Sequence, residues 1–223
     1  MVDLWTVGAD QPPEVVSGLW RLLDEDERAR TAGADELLRR RFTVVRGAVR
    51  QLVGARLGRP AADVVWRRGR HGKPEPSDAG RLRVSWSASG PLAVLAVAEG
   101  RQLGVDVEEL LGGRAAGLIA ARLFPGAEAR YVAAAPTAAG RAARCTALWC
   151  RREACVKAYG GRLVQSFGLP VAGPSPLVLA EPRPLGRGPL RLMDVPVPGP
   201  FRAALAVRGD APVHVNVQAW TVS

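Results

Sequence analysis

Trp149-Cys150-Arg151-Arg152-Glu153-Ala154-Cys155-Val156-Lys157 closes a long Ala-rich segment that stops at Gly160-Gly161. Read as a helix, Trp149, Glu153 and Lys157 recur at i, i+4 and i+8, so an aromatic ring, a carboxylate and an ammonium share one face. A second run, Gly104-Val105-Asp106-Val107-Glu108, alternates β-branched residues with carboxylates. As a strand, its period of two puts Asp106 and Glu108 on the same side. A strand and a helix facing each other would bring three carboxylates and a lysine together.

Outward from these two runs the chain predicts an α+β fold. Val2 to Val7 reads as a first strand, ended by Gly8 and Pro12-Pro13. A helix follows over about Glu14 to Leu23, and a longer one over about Asp35 to Leu57, with Phe42, Val45, Val49, Leu52 and Val53 on its apolar stripe. Arg39, Arg40, Arg41, Arg46 and Arg50 lie around that helix, and Gly58-Arg59-Pro60 terminates it. Short strands are expected at Val64–Trp66, Arg81–Ser87 and Leu92–Ala98. Glu99-Gly100-Arg101 is the seam between an N-terminal α+β subdomain, residues 1–98, and a C-terminal one, residues 99–223.

The second subdomain opens with the Gly104–Glu108 strand and continues in a helix over Ala115–Leu123. After Phe124-Pro125-Gly126, one helical run is expected from Ala127 to Tyr159. The Pro- and Gly-rich stretch from Pro170 to Pro200 disfavours a central strand before Leu190–Met193. Phe201–Val207 and Val213–Trp220 alternate in polarity and are expected to pair antiparallel. Each half thus has helices packed on a small sheet, without a visible sequence repeat between them.

The 223 residues, 48% of them hydrophobic, suffice for a buried core. Lys and Arg number 31 against 21 acidic residues, a formal charge of +10. That balance favours an anionic partner: nucleic acid, a phosphorylated metabolite or an acidic protein. No helix-turn-helix, zinc-finger or RNP-like signature accompanies it, and aromatics are 5%, which argues against nucleic acid. Cys145, Cys150 and Cys155 recur at a spacing that rotates each thiol by roughly 140° on a helix, so they neither pair nor cluster. Reduced thiols, no basic region with an apolar run at the N-terminus and no span-length apolar stretch together predict a cytoplasmic protein without a membrane.

Three patches carry chemistry. Asp106, Glu108 and Glu153 are hard oxygen ligands suited to Mg²⁺ or Mn²⁺, and Mg²⁺ on so few carboxylates implies a phosphate ligand. The same residues also fit solvent-facing strand positions and an ordinary i, i+4 ion pair. His71-Gly72-Lys73-Pro74 with Ser85-Trp86-Ser87-Ala88-Ser89-Gly90 offers backbone N–H groups and a lysine to a phosphate, or simply two hairpin turns. Arg28, Arg30 and Arg39 to Arg41 form either a phosphate clamp or the solvated face of a helix.

Taken in order, these patches resemble the 4′-phosphopantetheinyl transferase family, in its larger, monomeric type that activates polyketide and nonribosomal peptide synthases. The resemblance rests on Arg41 with Arg46 and Arg50, on Gly72-Lys73-Pro74, Ser87-Ala88-Ser89 and Gly104–Glu108, on Phe124 followed by Glu128, and on Trp149–Lys157. It implies two similar α+β subdomains related by pseudo-twofold symmetry, with coenzyme A in the cleft between them. Asp106, Glu108 and Glu153 would then bind Mg²⁺, directly or through water, and Lys157 would contact the phosphate under attack. Arg30, Arg41 and Lys73 would hold the nucleotide end of coenzyme A, in a pocket shaped by Gly72, Pro74, Ser87 and Ser89.

The implied reaction moves the 4′-phosphopantetheine arm to a serine of an acidic acyl or peptidyl carrier protein and releases 3′,5′-ADP. Glu153 is the expected base, with Lys157 as its competitor. Two residues depart from the family's pattern: Ala88 stands where a histidine is usual, leaving His71 or Arg70 as substitutes, and Gly160-Gly161-Arg162-Leu163 replaces Gly-x-Gly-Leu. Readings from other classes are a carrier-binding scaffold without activity and a basic nucleic-acid module.

Overall fold

The structure, a computed structural model, describes residues 1–222, with Arg70 described by its backbone alone. In chain order the elements are β1 (Val2–Gly8), α1 (Pro13–Trp20), α2 (Glu25–Ala29), α3 (Glu36–Leu57), β2 (Trp66–Arg68), β3 (Pro74–Pro76), β4 (Leu82–Ser89) and β5 (Leu92–Glu99). The second half follows with β6 (Leu103–Glu109), α4 (Gly113–Leu123), α5 (Gly126–Ala133), α6 (Ala138–Tyr159), β7 (Leu177–Leu179), β8 (Leu190–Val195), β9 (Phe201–Arg208) and β10 (Val215–Ala219). The fold is α+β, as the sequence predicts.

Both long helices have local reasons to start and stop. Asp35 caps α3 by accepting the Leu38 N–H at 2.8 Å, and Gly58 ends it with φ of 63°, a left-handed conformation that costs glycine little. Thr137 caps α6 by accepting the Gly140 N–H at 2.9 Å, and Gly160 ends it with φ of 61°. The expected single run from Ala127 to Tyr159 is two helices. Pro136 falls between them, where proline disfavours a helical residue before it and donates no N–H.

The strands form two four-stranded sheets, in the orders β10-β1-β5-β4 and β6-β9-β8-β7, beside the β2-β3 hairpin. Alternation along the strands divides the interior into three cores. Trp5, Val7, Leu95 and Val97 pack under α3 with Val45, Val49 and Val53. Ala204, Ala206, Leu190 and Leu192 pack under α6 with Leu148 and Cys155. Between the sheets, Leu4, Val94 and Ala96 meet Val105, Val107 and Leu205. Each of these side chains, fully buried, contributes about 1.5–3 kcal/mol for the larger ones, so register is strongly specified.

Phe201–Val207 and Val213–Trp220 do not pair with each other. Both edges of β9 are taken, by β6 and β8, whereas β1 has a free edge. β10 therefore crosses back and pairs parallel with β1, Val2 opposite Val215, and Trp220 enters the first half's core. Glu99, expected in the second unit, still pairs with Leu82 in the first sheet, and β10 from the second half joins that sheet as well. The short strand expected at Val64–Trp66 lies at Trp66–Arg68 instead, after a single 3₁₀ turn over Ala61–Asp63.

Candidate active site

β6 and α6 touch at Gly104. A Cβ there would lie 2.2 Å from the Ala154 carbonyl oxygen and 2.7 Å from Lys157 Cβ, so only glycine allows this approach. The contact brings Asp106, two residues along the strand, to the Lys157 ammonium. Asp106 is 2% exposed and Lys157 side chain 27%. Lys157 Nζ donates to Asp106 Oδ1 at 2.7 Å and to Ser87 Oγ at 2.8 Å, and Ser87 Oγ lies 2.7 Å from the same Oδ1.

Ser87 belongs to β4, whose open edge runs beside the open edge of β6. Hydroxyls on alternate residues of β4 bridge the two. Ser85 Oγ accepts the Val105 N–H at 3.1 Å, Ser89 Oγ donates to Glu108 Oε2 at 2.9 Å and accepts the Glu109 N–H at 3.1 Å. The sequence places Ser85 in a run facing a phosphate or in a hairpin turn, not on this bridge, although the Ser85, Ser87 and Ser89 alternation signals a polar strand face. Ser87 and Ser89, expected to shape a nucleotide pocket, spend their hydroxyls on the carboxylates of β6.

The three carboxylates are electrostatically linked. Burial raises the pKa of Glu153 most, Asp106 and Glu108 raise it further, and Lys157 opposes the shift. Burial also raises Glu108, against its hydrogen bond from Ser89. Crowded, half-desolvated carboxylates are the condition under which one holds a proton near neutral pH or two share a cation. Asp106 Oδ2 is buried and has no hydrogen-bond partner among the described residues. Among those residues no three His, Cys, Asp or Glu side chains are grouped so as to hold a metal ion, Asp106, Glu108 and Glu153 included. What fits a hard cation is the donor chemistry: the unpartnered Asp106 Oδ2 and its neighbouring carboxylates are oxygen donors of the kind Mg²⁺ takes one or two of, with water and substrate oxygen completing its shell. Cys150 is held protonated by burial and by Asp106 and Glu108, and so offers no thiolate.

A cleft opens beside this cluster. One part, about 360 Å³, is lined by Lys157, Lys73, His71, Gly72, Pro74 and Gly160 among others. A neighbouring part, about 510 Å³, is lined by Arg41, Ser87, Ala88 and Gly90. Arg30, Phe42, Arg46 and Trp86 line both, so the two are continuous. Arg41, on α3, is held by Asp10, Nε to Oδ1 at 2.7 Å and Nη2 to Oδ2 at 3.0 Å. Ala88 presents a methyl group to the cleft where a histidine would fill space. The side chain of Arg70 lies outside the described residues.

Two of the arginines placed around α3 are buried. Arg46 pairs with Glu27 and packs against both the Trp66 and Trp86 rings, 5.0 and 4.5 Å from their centroids. Arg50 pairs with Glu27 and Asp24 and donates to the carbonyls of Ala61, Ala62 and Val64. On α6, Arg152 pairs with Glu128, whose other oxygen accepts the Val171 and Ala172 N–H groups at 2.8 and 2.9 Å. Of these arginines, Arg46 lines the cleft, with Nη1 lacking a hydrogen-bond partner among the described residues, whereas Arg50 and Arg152 are fully buried away from it.

Residues 102–184 match the model of the 4′-phosphopantetheinyl transferase superfamily. The 4′-phosphopantetheinyl transferase HetI of Nostoc sp. is 36% identical over 116 residues, covering 49% of this chain and 48% of the relative. The chain thus spans about half the length of that curated relative. Asp106, Glu108, Glu153 and Lys157 all fall inside the segment that matches the family, and Arg30, Arg41 and Lys73 fall outside it.

Proposed function

From the match of residues 102–184 to the 4′-phosphopantetheinyl transferase superfamily, we propose that the protein belongs to that family and transfers the 4′-phosphopantetheine arm of coenzyme A to a serine of an acyl or peptidyl carrier protein, releasing 3′,5′-ADP. The observation that carries this reading is the Asp106, Glu108, Glu153 and Lys157 cluster at the end of a cleft lined by Arg30 and Arg41. The carriers proposed are acidic domains of polyketide and nonribosomal peptide synthases, and the protein acts as a cytoplasmic monomer. Its three free, buried cysteines suit a reducing compartment.

Arg30 and Arg41 bind the nucleotide end of coenzyme A, in a cleft that Gly72 and Pro74 also line. Asp106, Glu108 and Glu153 would hold Mg²⁺ or Mn²⁺, directly or through water, and the ion would supply charge neutralisation at the pyrophosphate. Glu153 accepts the proton of the carrier's serine hydroxyl, a role favoured by its raised pKa. The serine oxygen then bonds to the phosphorus bearing the pantetheine arm. The bond from that phosphorus to the bridging oxygen breaks, and its electron pair leaves on 3′,5′-ADP. Lys157 keeps a positive charge beside the phosphate where negative charge grows.

Incubation with coenzyme A, Mg²⁺ and an apo carrier protein should raise the carrier's mass by one phosphopantetheine arm. Glu153→Gln should lower the transfer rate by about 100-fold or more while 3′,5′-ADP still binds. Near-normal turnover in that variant would remove Glu153 as the base. A carrier that binds without gaining mass would make the protein a scaffold.

A further inference from the structure

Lys73 stands just before β3 in the first half, yet among the described residues its ammonium bonds only to the second. Nζ donates to the Leu103 carbonyl at 2.8 Å and to the Lys157 carbonyl at 2.9 Å. Among the described residues neither acceptor has another strong partner. The Lys157 carbonyl lies in the last turn of α6, where intrahelical donors run out, and its other contact is the Gly160 N–H at 3.4 Å. The Gln102 carbonyl accepts the Arg208 N–H on the β9 side. Strand alternation therefore turns the Leu103 carbonyl toward the open edge of β6, the edge on which Ser85 and Ser89 take the Val105 and Glu109 N–H groups.

One amine thus ties the first turn of β6 to the last turn of α6, across the contact at Gly104 that sets Asp106 beside Lys157. Burial of such a group is costly, and desolvation brings it down to about 8.

We propose that Lys73 is a positioning residue, which fixes the spacing of β6 and α6 and thereby the Asp106–Lys157 geometry, in place of a primary role in holding the nucleotide. The inference rests on the transfer reading above. It is tested with Lys73→Met, which keeps length without donors, and Lys73→Gln, which restores two N–H donors without charge. Transfer kinetics and calorimetric binding of 3′,5′-ADP are measured on each full-length variant.

Lys73→Met should lower kcat by about 100-fold and leave the Kd for 3′,5′-ADP within about twofold, and Lys73→Gln should recover about tenfold of the lost rate. A weakened Kd with kcat retained, and Gln no better than Met, would overturn the proposal and make Lys73 a nucleotide ligand. If the unaltered protein transfers nothing, the functional reading fails on its own account. Amide hydrogen exchange then decides the role of Lys73. Faster exchange in Lys73→Met, or in Lys73→Gln if Met does not fold, at Val105, Asp106 and the residues ending α6 supports the tether, and unchanged exchange there overturns it.

Discussion

Asp106 shows what a residue's neighbours do to its chemistry. Its Oδ1 takes both the Lys157 ammonium and the Ser87 hydroxyl, and Oδ2 is buried without a partner among the described residues. A buried carboxylate is tolerated only with such compensation, so removing Lys157 should harm folding as well as chemistry. The acidic residues of this cluster are legible in the sequence, because period two on a strand and period four on a helix line them up. Lys73 is less so: a lysine between Gly72 and Pro74 reads as a phosphate contact, and nothing local announces two backbone carbonyls far along the chain.

Lys73 also carries a pH signature. Its folded-state value is about 8 against 10.5 for an ordinary lysine. Between those values the unfolded chain binds a proton that the folded chain does not, so this group's contribution makes stability rise with pH across that window. Urea unfolding followed over the interval should show a shallower rise in Lys73→Met. An identical slope in the two proteins would mean that Lys73 titrates normally in the folded state.

At the level of elements, the site depends on how closely β6 lies on α6. Gly104→Ala would put a methyl group 2.2 Å from the Ala154 carbonyl oxygen, and the strand and helix must separate to admit it. Overpacking of this kind costs about 1–3 kcal/mol, and the shift moves Asp106 away from Lys157. The variant should melt several degrees lower and lose most transfer activity. A Gly104→Ala protein with unchanged melting temperature and rate would show that the contact is not needed. Elements whose borders carry a cap or a breaker are legible locally, as with Asp35 and Gly58 on α3. The break between α5 and α6 is also local, since Pro136-Thr137 combines a breaker with a cap, and the helical run of alanines around it obscures it.

At the level of the molecule, the second half repeats the order of the first. β1-β5-β4 runs in the same arrangement as β6-β9-β8, and each sheet carries a 22-residue helix, α3 or α6. Arg50 and Arg152 each lie 8 residues before their helix's capping glycine, Gly58 or Gly160, and each pairs with a buried glutamate, Glu27 or Glu128. The repeat is invisible in sequence because the two halves share a fold and one ion pair but few side chains. The net charge of +10 belongs to the same scale. Association with an acidic carrier should slow by about tenfold as salt rises from low to near-molar ionic strength; salt-independent association rates would exclude steering.

By itself the sequence determines the α+β class, the two long helices, the strands β4, β5 and β6, and the residues that face one another on β6 and α6. These follow from periodicity, capping and breaking residues, which act over a few positions. The tertiary structure alone decides that β10 pairs with β1, that Arg46 and Arg50 are buried, and that hydroxyls of β4 and the amine of Lys73 hold the edge of β6. Those outcomes depend on which edges remain free after the other strands have paired and on which charges find buried partners. Both are properties of residues far apart in the chain, where local pattern carries no information.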